Sequence, residues 1–346
     1  MRLLVTGGAG FIGSAFVRRR LAATEDSIVV LDRLTYAGNR ANLSSVEEEQ
    51  RYAARFNFVH GDIADPVLVG RLAEDADAIV NFAAETHVDR SIDNAAAFLR
   101  TGVLGLHVLL EAARKAQGVA LPMRLLHVST DEVYGSVESG ARREEDALAP
   151  RSPYAAAKSA GDLLCLAYYE TYGLDVVITR GANSYGPYQH PEKLVPLFIT
   201  NALDEEPLPL YGDGLQRRDW LYVDDHADAV AIALERGVAG QVYNVPAGEE
   251  RTNRDVARAL LERLGKPWAL VRSVADRPGH DRRYAMDGAR IASLGWRPRV
   301  RFDDGIATTV DWYRDNRPWW EQMRGPDWAE YYDRLYGRRL AESTTA

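Results

Sequence analysis

The first 32 residues, MRLLVTGGAGFIGSAFVRRRLAATEDSIVVLD, decide the fold class of this chain. An apolar run ends at Gly7, and the GAGFIG motif of residues 8–13 then opens a helix-like segment. Glycines at this spacing allow a tight turn and let a pyrophosphate approach the N–H groups of a helix N-terminus. The next β-branched run ends at Asp32, where a carboxylate can bind ribose hydroxyls and repel a 2′-phosphate. The stretch predicts an NAD-binding βαβ unit; Arg33 weakens the preference over NADP, and a glycine-rich turn without a ligand is the alternative.

Short β-branched runs alternate with helix-like segments through the first half of the chain. This rhythm predicts an α/β fold with a doubly wound parallel sheet of the Rossmann type. The longest predicted helices span residues 93–117 and 153–172. From Gly181 onward, Pro- and Gly-punctuated segments indicate a smaller mixed α/β region that shapes a specific site. The predicted strands are RLLVTG, SIVVLD, NFVHGD, AIVNFAA, LLHVST and DVVITR.

Composition narrows the class of protein. A chain of 346 residues with 46% hydrophobic and 27% charged residues is typical of a globular protein. The net charge of −8 disfavours nucleic acid and anionic membranes as partners. The single cysteine, Cys165, excludes an internal disulfide and is interpreted as a core residue rather than a nucleophile. The apolar start is too short for a signal-peptide core, so we expect a soluble, cytoplasmic protein.

Two short motifs carry chemistry. Tyr154 and Lys158 lie four residues apart and therefore share one face of a helix, where an ammonium beside a phenol lowers the pKa of the tyrosine and makes it a base. Thr130, Asp131 and Glu132 follow the strand LLHVST, at the edge where α/β sheets place their sites. Two adjacent carboxyl groups there can supply one acid and one base. The alternatives are a chance pair on a surface helix and carboxylates that cap a helix.

Together, these motifs resemble the nucleoside-diphosphate-sugar 4,6-dehydratases of the extended short-chain dehydrogenase/reductase superfamily, and among them the dTDP-glucose 4,6-dehydratases. The resemblance extends from Arg2 to about Tyr313. It implies a lyase that oxidises dTDP-glucose at C4, eliminates water across C5 and C6, and returns the hydride to C6. The motifs are GGAGFIGS, DRLTYAGN, AAETHVDRSI, STDEVYG, SPYAAAKSAGD, NSYGPYQHPEKLVPL, YGDGLQRRDWLYVDDH and DRPGHDRRY.

The resemblance also implies the site residues and the organisation of the chain. Residues 1–180 form the NAD-binding domain that carries the catalytic residues, and residues 181–346 mainly bind the nucleotide sugar, with some return to the Rossmann sheet. The implied catalytic residues are Thr130, Asp131, Glu132, Tyr154 and Lys158. The implied NAD-binding residues are Gly7, Gly10, Phe11, Ile12, Gly13, Asp32, Arg33, Leu34, Thr35, Asp62, Ile63, Ala83, Ala84, Thr86, Thr101, Tyr154, Lys158 and Ser184. The implied substrate-binding residues are His87, Ser91, Thr130, Asn183, Lys193, Leu194, Pro209, Tyr211, Arg218, Asn253, Arg277 and His280.

Several features depart from the pattern or leave alternatives open. The family has Asn at the position of Ser184 and at that of Gly102, and both changes could loosen a hydrogen bond near the cofactor. Related functions are a UDP-sugar 4-epimerase, a UDP-sugar 4,6-dehydratase and a non-catalytic NAD-sensing regulator. We expect no metal, because Asp224 before an alanine-rich run is more simply an N-cap. We expect a homodimer through the two long helices, and an aromatic C-terminal tail that packs on the body rather than binding a partner.

Overall fold

A seven-stranded parallel sheet forms the centre of the computed structural model, which describes residues 1–116 and 123–345. Its strands are β1 (Arg2–Thr6), β2 (Ser27–Asp32), β3 (Phe56–His60), β4 (Ala78–Asn81), β5 (Arg124–Thr130), β6 (Val176–Gly181) and β10 (Gln241–Val245). They lie in the order β10-β6-β5-β4-β1-β2-β3. The order reverses next to β1, which is where doubly wound sheets open a crevice for a ligand. The predicted fold class and all six predicted strands are confirmed.

Two small sheets follow in the C-terminal half. One has the order β11-β9-β7, and the other has the order β13-β12-β8. These strands lie within the Pro- and Gly-punctuated segments that follow Gly181. The strands are β7 (Asn183–Tyr185), β8 (Leu208–Tyr211), β9 (Arg217–Tyr222), β11 (Glu250–Thr252), β12 (Val271–Val274) and β13 (Thr344–Thr345).

Helices cover both faces of the large sheet and build the C-terminal region. Those of the first half are α1 (Phe11–Ala23), α2 (Ser44–Glu47), α3 (Pro66–Ala73), α4 (Val88–Asp93), α5 (Ala95–Leu99), α6 (Leu106–Ala116) and α7 (Pro153–Tyr172). Those of the second half are α8 (Leu194–Leu203), α9 (Val223–Arg236), α10 (Asn253–Leu264), α11 (Ala289–Ser293), α12 (Phe302–Asp315), α13 (Arg317–Met323), α14 (Pro326–Tyr332) and α15 (Arg338–Ala341). A 3₁₀ segment, Asp131–Tyr134, follows β5, and others are Arg40–Leu43, Gln50–Tyr52 and Trp268–Leu270.

Local sequence signals explain the two long helices. The Ser152 side chain accepts from the N–H of Ala155, Pro153 occupies the first turn, and Gly173 ends α7 at φ +65°. The other long helix begins at Ala95, two residues later than predicted, because the side chain of Asn94 caps it. It continues from α5 through the π-helical segment Arg100–Gly105 into α6. Residue 117, its predicted end, lies outside the described residues.

The chain after residue 180 contributes to the large sheet as well as to its own core. β10 pairs in parallel with β6, and α9 packs against α1. A second apolar core lies among α8, α10, α12 and the C-terminal helices. The division of the chain at residue 180 into two domains stays a prediction.

The aromatic tail packs on the body, as predicted. Its rings join the second core, where Tyr313 and Trp320 are almost fully buried. Cys165 is also fully buried in an apolar cluster beside the large sheet, and burial raises the pKa of its thiol. The cysteine is therefore a core residue.

One expectation about a helix start is wrong. Asp224 does not cap α9, because the helix already begins at Val223 and Tyr222 occupies the N-cap position without a side-chain bond. Asp224 instead forms a salt bridge of 3.2 Å with Arg19 of α1. Asp225 accepts from the backbone N–H groups of residues 299 and 300. Within residues 1–116 and 123–345, no three His, Cys, Asp or Glu side chains form a group that could hold a metal.

Candidate active site

A long pocket runs along the carboxyl ends of the parallel strands, from β2 to β6. At one end, the chain turns tightly after β1 at Gly7, which has φ +70°. A Cβ added at Gly7 would lie 2.5 Å from the backbone N of Ala83, and one added at Gly13 would overlap the carbonyl oxygen of Gly7. Only glycine fits these two positions. The turn therefore leaves the N-terminus of α1 open to a ligand at the pocket wall.

Asp32 closes the same end of the pocket. It is buried, and its two oxygens accept from the N–H groups of Ala9 and Leu34 at 2.9 and 2.8 Å. Neighbouring Arg33 forms a salt bridge of 3.3 Å with Asp62 at the pocket wall. Arg33 is therefore paired with a carboxylate, and the carboxyl group of Asp32 faces the same end of the pocket. This arrangement suits a ribose with two free hydroxyls.

Tyr154 and Lys158 line the opposite end of the pocket from one face of α7. Lys158 is buried, donates to the carbonyl oxygen of Val128 at 2.5 Å, and has its pKa lowered by burial to about 8. The pKa of Tyr154 is raised, first by burial and then by the charge of Glu132. The expectation that Lys158 lowers the pKa of the tyrosine is not met by the polypeptide alone. The reason is that burial disfavours the phenolate and the charge of Glu132 adds to this, while the ammonium of Lys158 donates to a backbone carbonyl.

Thr130, Asp131 and Glu132 meet Tyr154 at this end of the pocket. Thr130 is the N-cap of the 3₁₀ segment: its hydroxyl accepts from the N–H of Glu132 at 3.3 Å and donates to Asp131 at 3.1 Å. Since the threonine caps the turn, the two carboxyl groups are not needed as caps. The motif was interpreted either as an acid–base pair or as helix-capping carboxylates. The structure favours the first, because the carboxyl groups are left available for chemistry.

The two carboxyl groups differ in their electrostatic surroundings. Burial, and next the charge of Glu132, raises the pKa of Asp131 to about 8. Burial also raises the pKa of Glu132, but the charges of Arg277, Arg218 and Lys193 act to lower it. Three cations therefore oppose the effect of burial at Glu132, whereas Asp131, with Arg218 alone acting in that way among cations, keeps its proton near neutral pH.

The residues that the sequence assigned to the cofactor nearly all line this pocket. The exception is Leu34, which has φ +53°, packs against the first apolar core and contributes its backbone N–H to Asp32. The pocket brings together Gly7, Gly10, Phe11, Ile12, Gly13, Asp32, Arg33, Thr35, Asp62, Ile63, Ala83, Ala84, Thr86, Thr101, Tyr154, Lys158 and Ser184.

The residues assigned to the substrate divide into two groups. Thr130, Asn183 and Lys193 line the pocket, and Lys193 donates to the carbonyl oxygen of Thr86 at 2.6 Å. The others lie outside the pocket walls, although Arg218 and Arg277 are close enough to Glu132 to lower its pKa. The residues outside the walls are His87, Ser91, Leu194, Pro209, Tyr211, Arg218, Asn253, Arg277 and His280.

Among the residues outside the pocket walls, Tyr211, His280 and Arg277 form a second cluster around Asp89, whereas Ser91 belongs to neither the pocket nor this cluster. Tyr211 lies edge-on to His280, with ring centroids 5.9 Å apart, and its hydroxyl lies 3.4 Å from Asp89. Asp89 also pairs with Arg277 at 3.5 Å. Ser91, by contrast, is fully buried and donates to a carbonyl oxygen of its own helix at 2.6 Å, so its hydroxyl is not available to a ligand.

Sequence reasoning missed several residues of the site. Glu85, Gln189, His190 and His226 line the pocket, and their positions depend on contacts between distant parts of the chain. All four lie in motifs quoted above, AAETHVDRSI, NSYGPYQHPEKLVPL and YGDGLQRRDWLYVDDH, but none was assigned to the site. Two tail residues also reach the outer cluster: Arg339 donates to the hydroxyl of Tyr211 at 2.9 Å, and Tyr336 lies 3.4 Å from the same oxygen.

Comparisons with known proteins show the family of the chain. The GDP-mannose 4,6 dehydratase family model matches residues 4–309. A dTDP-glucose 4,6-dehydratase of Streptomyces niveus is 54% identical over 334 residues, which cover 94% of this chain and 97% of the relative. The crystal structure of the dTDP-glucose 4,6-dehydratase DesIV from Streptomyces venezuelae, with NAD and TYD bound, is 56% identical with a TM-score of 0.89, covering 93% of this chain and all of that one.

A 4-epimerase with the same fold is less similar to this chain than the dehydratases are. The UDP-glucose 4-epimerase of Thermus thermophilus, solved with NAD, is 35% identical with a TM-score of 0.82 and covers 91% of this chain and 100% of its own. Epimerase structures therefore share the fold at lower identity than the dehydratases. By its family model, its identity to curated relatives and the site described above, the chain belongs to the dTDP-glucose 4,6-dehydratase family.

Proposed function

We propose that the chain catalyses the NAD-dependent dehydration of dTDP-glucose to its 4-keto-6-deoxy sugar nucleotide, with Tyr154, Asp131 and Glu132 as the three proton-transfer groups. Tyr154 removes the proton of the C4 hydroxyl. Once C4 is a ketone, the C5 proton becomes acidic and Glu132 takes it. Asp131 protonates the C6 hydroxyl, which leaves as water, and Glu132 returns its proton to C5. The proton that Tyr154 took from the C4 hydroxyl is exchanged through solvent for the one that Asp131 gave up, which restores the starting protonation states. The net products are one keto sugar and one water.

The observation that carries this assignment is the difference in charged neighbours between the two buried, adjacent carboxyl groups. Asp131, with its pKa raised to about 8, holds a proton that it can donate to a leaving hydroxyl. Glu132 has Arg277, Arg218 and Lys193 nearby, which favour the carboxylate that a base requires. An enzyme that only oxidised and reduced C4 would need Tyr154 but neither carboxyl group.

The pocket fits NAD as the cofactor. The glycine turn at Gly7 and Gly13 leaves room for a pyrophosphate, and Asp32 can accept from ribose hydroxyls. When bound, NAD would supply the acceptor for the C4 hydride and return that hydride to C6. Lys158 and Thr130 line the reacting end, where Lys158 contributes its charge and the hydroxyl of Thr130 donates to Asp131.

Product analysis tests the proposed function. The purified protein is incubated separately with dTDP-glucose and with UDP-glucose, without added reductant, and the products are identified by mass spectrometry. We expect a 4-keto-6-deoxy product from dTDP-glucose and NAD that co-purifies and is not consumed, since its hydride is reclaimed. A 4-epimer as the product, or reduced NAD released in equal amount to the product, would overturn the proposal.

We further propose that the protein is a cytoplasmic homodimer built on the two long helices. The helix Ala95–Ala116 is long and apolar enough to cross a membrane by length and composition alone. Only 33% of its most apolar 18-residue stretch is buried inside the structure, so much of this apolar surface is left for another partner to cover. On it, Leu104 is 61% exposed, and on α7, Leu163 is 58% exposed. Two neighbouring helices that expose leucines in this way are suited to a four-helix interface with a second copy.

Sedimentation tests the homodimer. Leu163→Arg places a charge in the proposed interface and should yield monomers at micromolar concentration, because an unpaired charge cannot be buried there. Leu215→Arg is the matched control, since Leu215 is 44% exposed in the turn between β8 and β9, whose backbone bonds to the start of α10 rather than to either long helix. A wild-type monomer, or a Leu163→Arg variant that stays dimeric, would refute this interface.

A further inference from the structure

His226 lies against the end of β6, where its ring takes the place of a side chain that Gly181 lacks. A Cβ added at Gly181 would lie 2.6 Å from Nε2 of His226. Gly181 is the register partner of Thr130 on β5, so the ring lies beside the end of the pocket that holds Tyr154 and Lys158. His226 itself is 2% exposed and lines that pocket.

The ring is held through one nitrogen. Nδ1 of His226 lies 2.7 Å from Oγ of Ser184, and Ser184 also lines the pocket. Burial lowers the pKa of His226 to about 4, so the ring is neutral and carries a single N–H at physiological pH. Nε2 is buried and has no hydrogen-bond partner among the residues that the structure describes.

The unpartnered Nε2 indicates which nitrogen carries the hydrogen. A buried N–H without an acceptor is rarer in proteins than a buried acceptor without a donor. The hydrogen therefore belongs on Nδ1, which donates to Oγ of Ser184. The hydroxyl hydrogen of Ser184 is then free for another acceptor, and the carbonyl oxygen of Ala182 offers only a long contact of 3.3 Å.

We propose that His226 is a positioning residue that turns the hydroxyl of Ser184 into a donor toward the carboxamide oxygen at the nicotinamide end of NAD. The adenosine end is fixed at Asp32 and the glycine turn, so a cofactor extended along the strand ends places its nicotinamide beside Gly181 and Tyr154. The serine–histidine pair supplies the donor that the side-chain amide of asparagine at position 184 would supply alone. This inference rests on the proposed function.

Two binding measurements and one rate test the pair. NAD retained per chain after gel filtration and the affinity for added NAD are measured for the wild type, Ser184→Ala, Ser184→Asn, His226→Asn and His226→Phe. In single turnover with dTDP-glucose, absorbance of the reduced cofactor reports C4 oxidation. Thr309→Val is the matched control, because Thr309 is a fully buried hydroxyl bonded only to the backbone of α12.

We expect Ser184→Ala and His226→Phe each to weaken NAD binding and slow C4 oxidation about tenfold, the usual effect of one lost hydrogen bond. KM for dTDP-glucose should not change. The double variant Ser184→Ala/His226→Phe, measured in the same way, should lose no more than either single variant, since both substitutions act on the same bond. His226→Asn, whose amide nitrogen can replace Nδ1, and Ser184→Asn should restore binding.

Three outcomes would overturn the inference. They are wild-type NAD affinity and oxidation rate in Ser184→Ala, additive losses in the double variant, and a His226→Asn variant as weak as His226→Phe. If His226→Phe fails to fold, Ser184→Ala and His226→Asn still decide. A wild-type protein that binds NAD but never reduces it with dTDP-glucose would instead contradict the proposed function and leave the binding comparison intact.

Discussion

The elimination of water should depend on the protonation of Asp131 and slow as the pH rises. The pKa of this buried carboxyl is raised to about 8. By that value, about 90% of the molecules carry the proton at pH 7 and about 10% carry it at pH 9. Because only the protonated form can donate to the C6 hydroxyl, the elimination rate should fall about tenfold per pH unit above about pH 8, and it should also fall at low pH, where Glu132 becomes protonated and cannot act as the base.

Single-turnover experiments separate this step from C4 oxidation. Absorbance of the reduced cofactor follows oxidation, to which Lys158 with its pKa of about 8 contributes, and mass spectrometry of quenched samples follows the loss of water. Asp131→Asn keeps the shape of the side chain but cannot donate a proton, so elimination should slow by a factor of about 10²–10⁴ and lose the fall above about pH 8. A wild-type elimination rate that does not change between about pH 6 and 9, or an Asp131→Asn variant that eliminates at the wild-type rate, would refute the assignment of the acid.

Four further outcomes follow from the same site. Tyr154→Phe keeps the ring that lies edge-on to Phe98 at 6.2 Å, so substrate should still bind while C4 oxidation measured in single turnover falls about 10²–10⁴-fold. Glu132→Gln should still reduce the cofactor, but exchange of the C5 proton in deuterated water and release of water should collapse. Gly13→Ala should purify without NAD, judged by absorbance of the released nucleotide, because its Cβ would overlap the carbonyl oxygen of Gly7. Asp131→Asn should raise the free energy of unfolding at pH 7 by up to about 4 kcal/mol in urea titrations, with no gain near pH 3, since the raised pKa destabilises the fold only above the pKa of the unfolded chain.

Much of the fold was predictable because its signals are local. Each β-branched run that ends at a glycine or a carboxylate became a strand of the large sheet, and Ser152 with Pro153 marked the start of α7. The site followed from these elements, since Thr130 and Gly181 are register partners at neighbouring strand ends. The pocket therefore collects residues that the sequence already placed at one edge.

What the sequence did not show depends on contacts between distant segments. The resemblance implied some return of the chain to the large sheet, but no local pattern indicates that the returning segment is β10, which joins β6 after an intervening region of small sheets. Ser91 lies in a matched motif, yet helix α4 uses its hydroxyl internally. Asp224 is of a residue type that often caps helices, but it pairs with Arg19 instead. Arg19 is its neighbour only because α9 packs on α1.

Labelled substrate tests the central claim most directly. The wild-type protein is incubated with dTDP-glucose deuterated at C4, and the product is examined by NMR and mass spectrometry. The proposed reaction predicts a 4-keto-6-deoxy product that carries the deuterium on its C6 methyl group, with no reduced cofactor accumulating. Deuterium retained at C4 of an epimerised sugar, or released in free reduced cofactor, would contradict it.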